Sequence, residues 1–145
     1  IINNNIDSVT LPTLADEDFE NLLDIATQAY LSKEWEAANA MATVLVSLCN
    51  DRIQPLILLA NIAKEQQSLS VAQDMYDRYT SLIVDPFLYY HAAECFMEDK
   101  NNRSALFKAE DLLKKAIELC DEAPETWQEL KEETEELLAQ VLVLL

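Results

Sequence analysis

Histidine and cysteine, which commonly supply acid–base and thiol chemistry near neutral pH, are scarce in this sequence. His91 is the single histidine, so a metal or catalytic site that needs several histidines from one chain is excluded. The three cysteines, Cys49, Cys95 and Cys120, lie far apart and form no C-x-x-C pair of the zinc or thioredoxin type. We therefore predict three buried free thiols, as in a reducing cytosol, and a His91 that packs or caps rather than titrates as a switch.

Carboxylates are the abundant chemical group, and five of them fall close together near the C-terminal end. They follow a helical pattern, whereas calcium loops collect their oxygen ligands around a glycine-containing turn. This run therefore indicates a solvated helix face, and we predict neither a metal nor a cofactor. The run comprises Glu129, Glu132, Glu133, Glu135 and Glu136.

The complete absence of glycine excludes several classes of active site. Phosphate-binding loops, the dinucleotide fingerprint and the nucleophile elbow all need glycine where the backbone turns sharply or approaches a ligand. Tight hairpins also favour glycine, which argues against a sheet. The sequence thus favours an all-α protein, and we predict that it is not an enzyme.

Charge limits the possible partners. The 145 residues include 27 acidic and 10 basic side chains, a formal net charge of −17. Such a polyanion repels nucleic-acid phosphates and anionic membrane surfaces, so we predict no nucleic-acid binding. An apolar run of 18 residues is also missing, so stable membrane insertion is not expected. Because the chain begins with Ile1 rather than methionine, we expect a native segment to precede it.

Hydrophobic periodicity places the side chains on a series of helices. Residues 1–15 are polar and predict an N-terminal arm, residues 16–120 carry six helices of similar length, and residues 121–145 predict a C-terminal capping helix. Asp85-Pro86 is a typical helix start, with a capping aspartate and proline at the first helical position. The predicted helices cover residues 16–31, 35–49, 53–66, 70–84, 86–99, 105–120 and 125–145.

Small residues recur with the period of a tetratricopeptide repeat. Ala26 and Ala60 are 34 residues apart in the first helices of two successive pairs, and Ala38 and Ala72 are 34 apart in the second helices. Alanines at these positions allow the two helices of a pair to approach closely. The repeat is favoured over an irregular helical bundle.

A third pair is less regular. The spacing from Ala93 to Ala109 is longer than in the first two pairs, and we assign the insertion to residues 100–106. Lys33 and Gln67 stand where such repeats usually have a glycine between helices, and Trp35 stands where an aromatic ring fixes that turn. The predicted fold is all-α, with three tandem tetratricopeptide-like helix pairs forming a right-handed superhelix, plus the capping helix.

One segment carries a family resemblance. Asp85-Pro86, followed by Tyr90-His91-Ala92-Ala93-Glu94-Cys95, resembles the opening of the third repeat in class II chaperones of bacterial type III secretion. Residues 33–38 and 108–110 are similar as well. The resemblance covers residues 17–120 and implies a non-catalytic cytoplasmic chaperone that holds hydrophobic translocator proteins before export.

In that family an extended segment of the translocator lies in a concave groove lined by the first helix of each repeat. The resemblance therefore implies a partner-binding groove formed by nine residues, three from each repeat. They are Leu23, Thr27 and Tyr30, then Ile57, Asn61 and Lys64, and finally Tyr90, Glu94 and Met97.

Several alternatives remain open from the sequence. Another repeat scaffold, such as a chaperone of needle or filament subunits or an assembly adaptor, has the same pattern. Three of the nine predicted residues are either groove anchors or core residues, depending on whether the helix face is rotated by one residue position. They are Tyr30, Tyr90 and Met97. Residues 137–145 either cap the repeats or pair with another chain, and a homodimer is a further possibility.

Overall fold

The computed structural model describes residues 14–145, so the predicted N-terminal arm falls almost entirely outside the described residues. Within them the secondary structure consists of seven helices joined by short connections. They are α1 (Asp16–Leu31), α2 (Trp35–Leu48), α3 (Gln54–Gln66), α4 (Leu69–Leu82), α5 (Pro86–Met97), α6 (Arg103–Glu122) and α7 (Pro124–Leu144).

Three helices begin at side-chain caps. Ser68, Asp85 and Asn102 each accept a hydrogen bond from a backbone N–H in the first turn of α4, α5 and α6. The Asp85 carboxylate accepts from the Leu88 N–H at 3.0 Å, and Pro86 occupies the first turn, where its missing N–H has no consequence. The helix start predicted from Asp85-Pro86 is confirmed.

The chain divides into two compact units, of which the first ends at Ile62. In this unit α1 packs against α2 around fully buried Ala26, Ala38 and Ala42, and α3 contributes Leu58 and Ile62 to the same cluster. Because alanine side chains are small, the helix backbones approach closely and larger side chains fill the flanks. The close contact inferred from the small-residue pattern is thus present here.

The second unit runs from Ala63 to Leu145. In it α4 packs on α5, α5 on α6 and α6 on α7, and α5 also contacts α7. α7 buries Leu130, Thr134 and Val141, which lie along one face of the helix, and leaves the apolar residues Leu142 and Val143 exposed. The final helix therefore packs on its neighbour and still presents apolar surface.

The irregular third pair differs in detail from the prediction. The predicted helices leave a connection at residues 100–104, whereas α6 begins at Arg103, and Ala105 and Leu106 are buried in its first turn. Asn102 causes the early start, because its side chain satisfies the Ala105 N–H. Part of the insertion therefore lengthens α6 rather than the connection.

Lys33 replaces the usual glycine at the turn between α1 and α2. Its φ is 62°, and among residues 14–145 it is the one non-glycine residue with positive φ. The Lys33 N–H donates to the Tyr30 carbonyl at 3.0 Å and the Glu34 N–H donates to the Ala29 carbonyl at 2.8 Å, the Schellman pattern that ends many helices. A side chain in this left-handed region costs about 1 kcal/mol.

We therefore expect Lys33→Gly to raise the free energy of unfolding by about 0.5–1 kcal/mol, since relief of the strain exceeds the added chain entropy. Gln67→Gly is the matched control, because Gln67 follows α3 without positive φ, and it should lower stability or leave it unchanged. Urea unfolding followed by circular dichroism measures both. Equal effects of the two substitutions would contradict the account of this turn.

Candidate partner-binding surface

In the first unit, three of the predicted groove residues lie along α1, and all are half-buried. Leu23 packs against a core cluster that includes Phe19 and Leu45. The Thr27 hydroxyl donates to the Leu23 carbonyl at 2.8 Å, which leaves its methyl group available for contact. Together these side chains form a stripe of mixed polar and apolar character.

Tyr30 lies at the end of this stripe and joins the two sides of the α1–α2 turn. Its ring meets Trp35 edge to face, with the centroids 5.5 Å apart, and both side chains pack against the core of the first unit. Trp35 therefore packs across the turn, at the position where the sequence indicated a structural aromatic ring. Tyr30 is half-buried, so it contributes to the core and keeps part of its ring on the surface.

α3 carries the next three predicted residues. Ile57 is buried, so its side chain offers little surface, and Asn61 is half-buried. Lys64 belongs to the second unit, where its ammonium group lies 2.9 Å from the Glu98 carboxylate just beyond α5. This partly exposed ion pair fixes the side chain of Lys64 beside the end of α5.

Two of the predicted residues of α5, Tyr90 and Glu94, lie beside the histidine. The ring of Tyr90 meets that of His91 edge to face at 5.5 Å, and His91 Nδ1 lies 3.1 Å from the exposed carboxylate of Glu94. His91 also meets Phe87, with centroids 4.5 Å apart. His91 thus packs within an aromatic group, as predicted, and its neighbour Glu94 faces solvent.

Negative charge is concentrated around Tyr90. Burial is the main reason that the pKa of its phenol lies above the usual value of 10, and the carboxylates of Glu94, Glu133 and Glu136 add to the effect. Glu133 and Glu136 are on α7, so acidic residues of that helix act on the predicted surface of α5. The electrostatic environment there disfavours anions.

Met97 is buried and contributes to a cavity between the end of α5 and the last turns of α7. This α5–α7 cavity has a volume of about 480 Å³ and combines apolar side chains with two carboxylates, one lysine and one glutamine. The lining residues of interest are Met97, Leu137, Val143 and Leu144, together with Glu94 and Glu98. Of the two interpretations of Met97, the structure favours a buried residue that faces a cavity.

The three thiols are free and buried, as predicted. Burial raises the pKa of the Cys95 thiol to about 12, with a smaller contribution from Glu98 and an opposing one from Lys64. Because the neutral thiol is favoured, the nucleophilic thiolate forms only in strongly alkaline solution. Cys95 is therefore not an activated nucleophile.

This environment makes labelling of Cys95 strongly dependent on pH. At pH 8 we expect iodoacetamide to modify Cys95 at least about 100-fold more slowly than a small-molecule thiol with an ordinary pKa near 8.5. The rate should rise steadily as the pH increases beyond 10. Peptide mass spectrometry of timed samples follows this reaction, and a labelling midpoint below pH 9 would contradict the assignment.

The structure brings the predicted residues together in two groups. The first unit holds Leu23, Thr27 and Tyr30 on one helix, with Ile57 and Asn61 on α3. The second unit holds Lys64, Glu94 and Met97, which are connected through Glu98 and the α5–α7 cavity. Tyr90 lies beside them, with its ring against His91, the partner of Glu94. The part that α7 plays in forming the α5–α7 cavity was not predicted from the sequence. The apolar residues near the end of α7 cover more than one face of the helix, and this pattern could have indicated an exposed contact surface.

Among residues 14–145 no cluster of three or more histidine, cysteine, aspartate or glutamate side chains has the arrangement of a metal site. In the same part of the chain, none of the helices combines the length and apolar character needed to cross a bilayer. The run of glutamates on α7 is exposed at all five of its positions, in agreement with a solvated face.

Comparison with solved structures identifies the fold. One similar structure is the alternative dimer of SycD, the type III secretion translocator chaperone of Yersinia enterocolitica. It aligns with 24% sequence identity and a TM-score of 0.64, and the alignment covers 89% of this chain and 95% of SycD. The chain shares the fold of SycD. At this identity the likeness establishes the shared fold, and the predicted all-α, tetratricopeptide-like class is confirmed.

Two similar structures contain bound segments. SycD in complex with a peptide of the translocator YopD aligns with a TM-score of 0.62 and 24% identity, covering 89% of this chain and 95% of SycD. PcrH, a protein of Pseudomonas aeruginosa, in complex with the chaperone binding region of PopD, aligns with a TM-score of 0.63 and 21% identity, covering 92% of this chain and 98% of PcrH. Searches for a matching family model and for a matching curated protein found none.

Proposed function

We propose that this chain is a non-catalytic chaperone of a bacterial type III secretion system. In the bacterial cytoplasm it binds an extended segment of a hydrophobic translocator protein and keeps that protein soluble and apart from other translocators before export. The observation that carries the proposal is the shared fold with SycD and PcrH, whose solved complexes contain a translocator peptide and a chaperone-binding region.

The character of the first helices supports this proposal. α1 offers Leu23, Thr27 and Tyr30 as half-buried side chains, and α5 offers Tyr90 beside exposed Glu94. Half-buried aromatic and aliphatic groups can hold the anchors of a bound segment, and nearby polar groups can reach its backbone. The side chains belong to packed helices, so little ordering is required when a partner binds.

Net charge supports the same role. A chain with a charge of −17 remains soluble while it covers an apolar segment of another protein. A catalytic role has no support from the site, because Cys95 is held as a neutral thiol and His91 packs against aromatic rings.

Co-expression tests the proposal. A pore-forming translocator from the type III secretion system of the source bacterium is expressed with and without this chain. We expect the translocator to be insoluble alone, and to become soluble and to elute with this chain in gel filtration when the two are made together. A needle or filament subunit expressed in the same way is the comparison. Solubilisation of that subunit, and not of the translocator, would overturn the proposal.

A further inference from the structure

The α5–α7 cavity indicates the chemistry of the segment that binds there, an inference that rests on the proposed function. Its volume of about 480 Å³ falls within the range of roughly 300–1,000 Å³ that is common for ligand pockets. Met97, Leu137 and Leu144 supply apolar surface, and Val143 at the rim is 86% exposed. An aliphatic side chain placed here would cover surface that is now in contact with water.

The charges around the cavity favour a cation over an anion. Glu94 and Glu98 line it, and two further carboxylates, Glu133 and Glu136, act on the neighbouring Tyr90. α5 ends at Met97, so the partly negative C-terminal end of this helix lies beside the cavity.

Three cations oppose this preference in part. Lys64 pairs with Glu98, Lys100 lines the cavity, and the Arg103 guanidinium donates to the Leu145 carbonyl at 3.4 Å. They leave Glu94 without a lysine or arginine partner among the described residues, and its contact is with His91 Nδ1. The balance of these charges is a moderate preference for a cation next to Glu94.

A second copy of this chain is a poor occupant, because it brings another net charge of −17 to a site that is already acidic.

We propose that the α5–α7 cavity binds a segment of the partner protein in which an aliphatic side chain stands next to a lysine or arginine. The aliphatic group enters between Met97 and Val143, and the cation lies beside Glu94. The cavity thereby selects which part of a client is held at this end of α5.

The three methionines of the chain provide a direct readout. With methyl-¹³C methionine, the Met97 signal reports on the cavity, whereas Met41 on α2 and Met75 on α4 serve as internal controls. The probes are three short synthetic peptides. One has leucine beside lysine, one has leucine beside glutamate, and one has alanine beside lysine.

We expect the leucine–lysine peptide to shift the Met97 signal in a saturable way, and to bind about 3- to 5-fold more tightly than the leucine–glutamate peptide. The alanine peptide should produce no saturable shift. Glu94→Gln should remove most of the discrimination between lysine and glutamate. Equal binding of the two leucine peptides, or shifts confined to Met41 or Met75, would overturn the inference.

A matched pair of variants locates the site. Val143→Lys places a cation at the rim and should weaken the leucine–lysine peptide at least about 5-fold. Leu82→Lys makes the same change of charge at a residue of α4 that is 82% exposed, and it should have no effect. Equal effects of both variants, or an unchanged affinity with Val143→Lys, would also overturn the inference.

The outcome is separable from that of the proposed function. A translocator that is made soluble by this chain, with no response of Met97 to the peptides, contradicts the cavity and leaves the chaperone role intact. A Met97 response without translocator solubilisation contradicts the chaperone role instead, and shows that the cavity binds a basic aliphatic segment from another partner.

Discussion

Replacement of Tyr90 by alanine is expected to weaken the binding of a translocator segment by about 10- to 100-fold, the effect of losing an aromatic anchor. Tyr90 is half-buried on α5, and its ring is held edge-on against His91 at 5.5 Å. A fixed aromatic ring loses little conformational freedom when it contacts a partner. Replacing the ring with alanine should therefore lose most of the binding free energy that its contacts provide. Isothermal titration calorimetry with a synthetic translocator segment measures the change.

Tyr79→Ala is the matched control for this experiment. Tyr79 is also half-buried, and its ring meets that of Tyr76 at 6.2 Å, but it lies on α4, the second helix of its pair. We expect its loss to lower stability while the affinity of the folded variant stays within about 2-fold of the original. If both variants lose affinity equally, Tyr90 has no special role, and the assignment of binding to the first helices is wrong.

Replacement of Ala38 by leucine should destabilise the protein by about 1–3 kcal/mol or more, because it forces a larger side chain into a closely packed contact. Ala38 is fully buried between α1 and α2, in the same cluster as Ala26 and Ala42. A small residue is needed at this position for the two helices to approach. Urea unfolding, followed by circular dichroism, measures the loss.

Ala40→Leu provides the control on the same helix. Ala40 is exposed, so the identical substitution meets solvent, and the free energy of unfolding should change by less than about 0.5 kcal/mol. Equal destabilisation by both substitutions would show that the small-residue position is not what holds α1 against α2. The repeat interpretation of the alanine spacing would then lose its physical basis.

The helices and their small-residue contacts could be predicted from the sequence because both depend on local patterns. The spacing that relates Ala26 to Ala60 and Ala38 to Ala72 follows from close helix packing, and all four residues are fully buried. Asp85 marks the beginning of α5 because its capping hydrogen bond is made within the same turn. Such features need only neighbouring residues and helical periodicity.

The start of α6 and the environment of Met97 were harder to predict. Asn102 extends α6 by capping Ala105, although the polar residues before it indicated a longer connection. Met97 faces a cavity whose other wall, including Val143, comes from a helix about forty residues later in the chain. A helical pattern gives the face on which Met97 lies, but the neighbour that this face meets depends on tertiary packing.

The lysine at position 33 shows a third kind of limit. The repeat pattern identified Lys33 and Gln67 as replacements for glycine, but it did not predict that their backbone conformations differ. In the structure Lys33 alone of the two has positive φ. The sequence therefore located both turns, whereas the conformation of each depended on the hydrogen bonds that the chain makes on leaving the helix.

The most direct test of the account is to ask which helices touch a bound translocator. A photoreactive benzoylphenylalanine is placed at Thr27 on α1 or Glu94 on α5, and in separate control proteins at exposed Thr43 on α2 or Lys114 on α6. Each protein is co-expressed with the translocator and irradiated. We expect covalent translocator adducts from the Thr27 and Glu94 positions and none from the controls. Adducts formed mainly from α2 and α6 would contradict the central claim that the first helices hold the client.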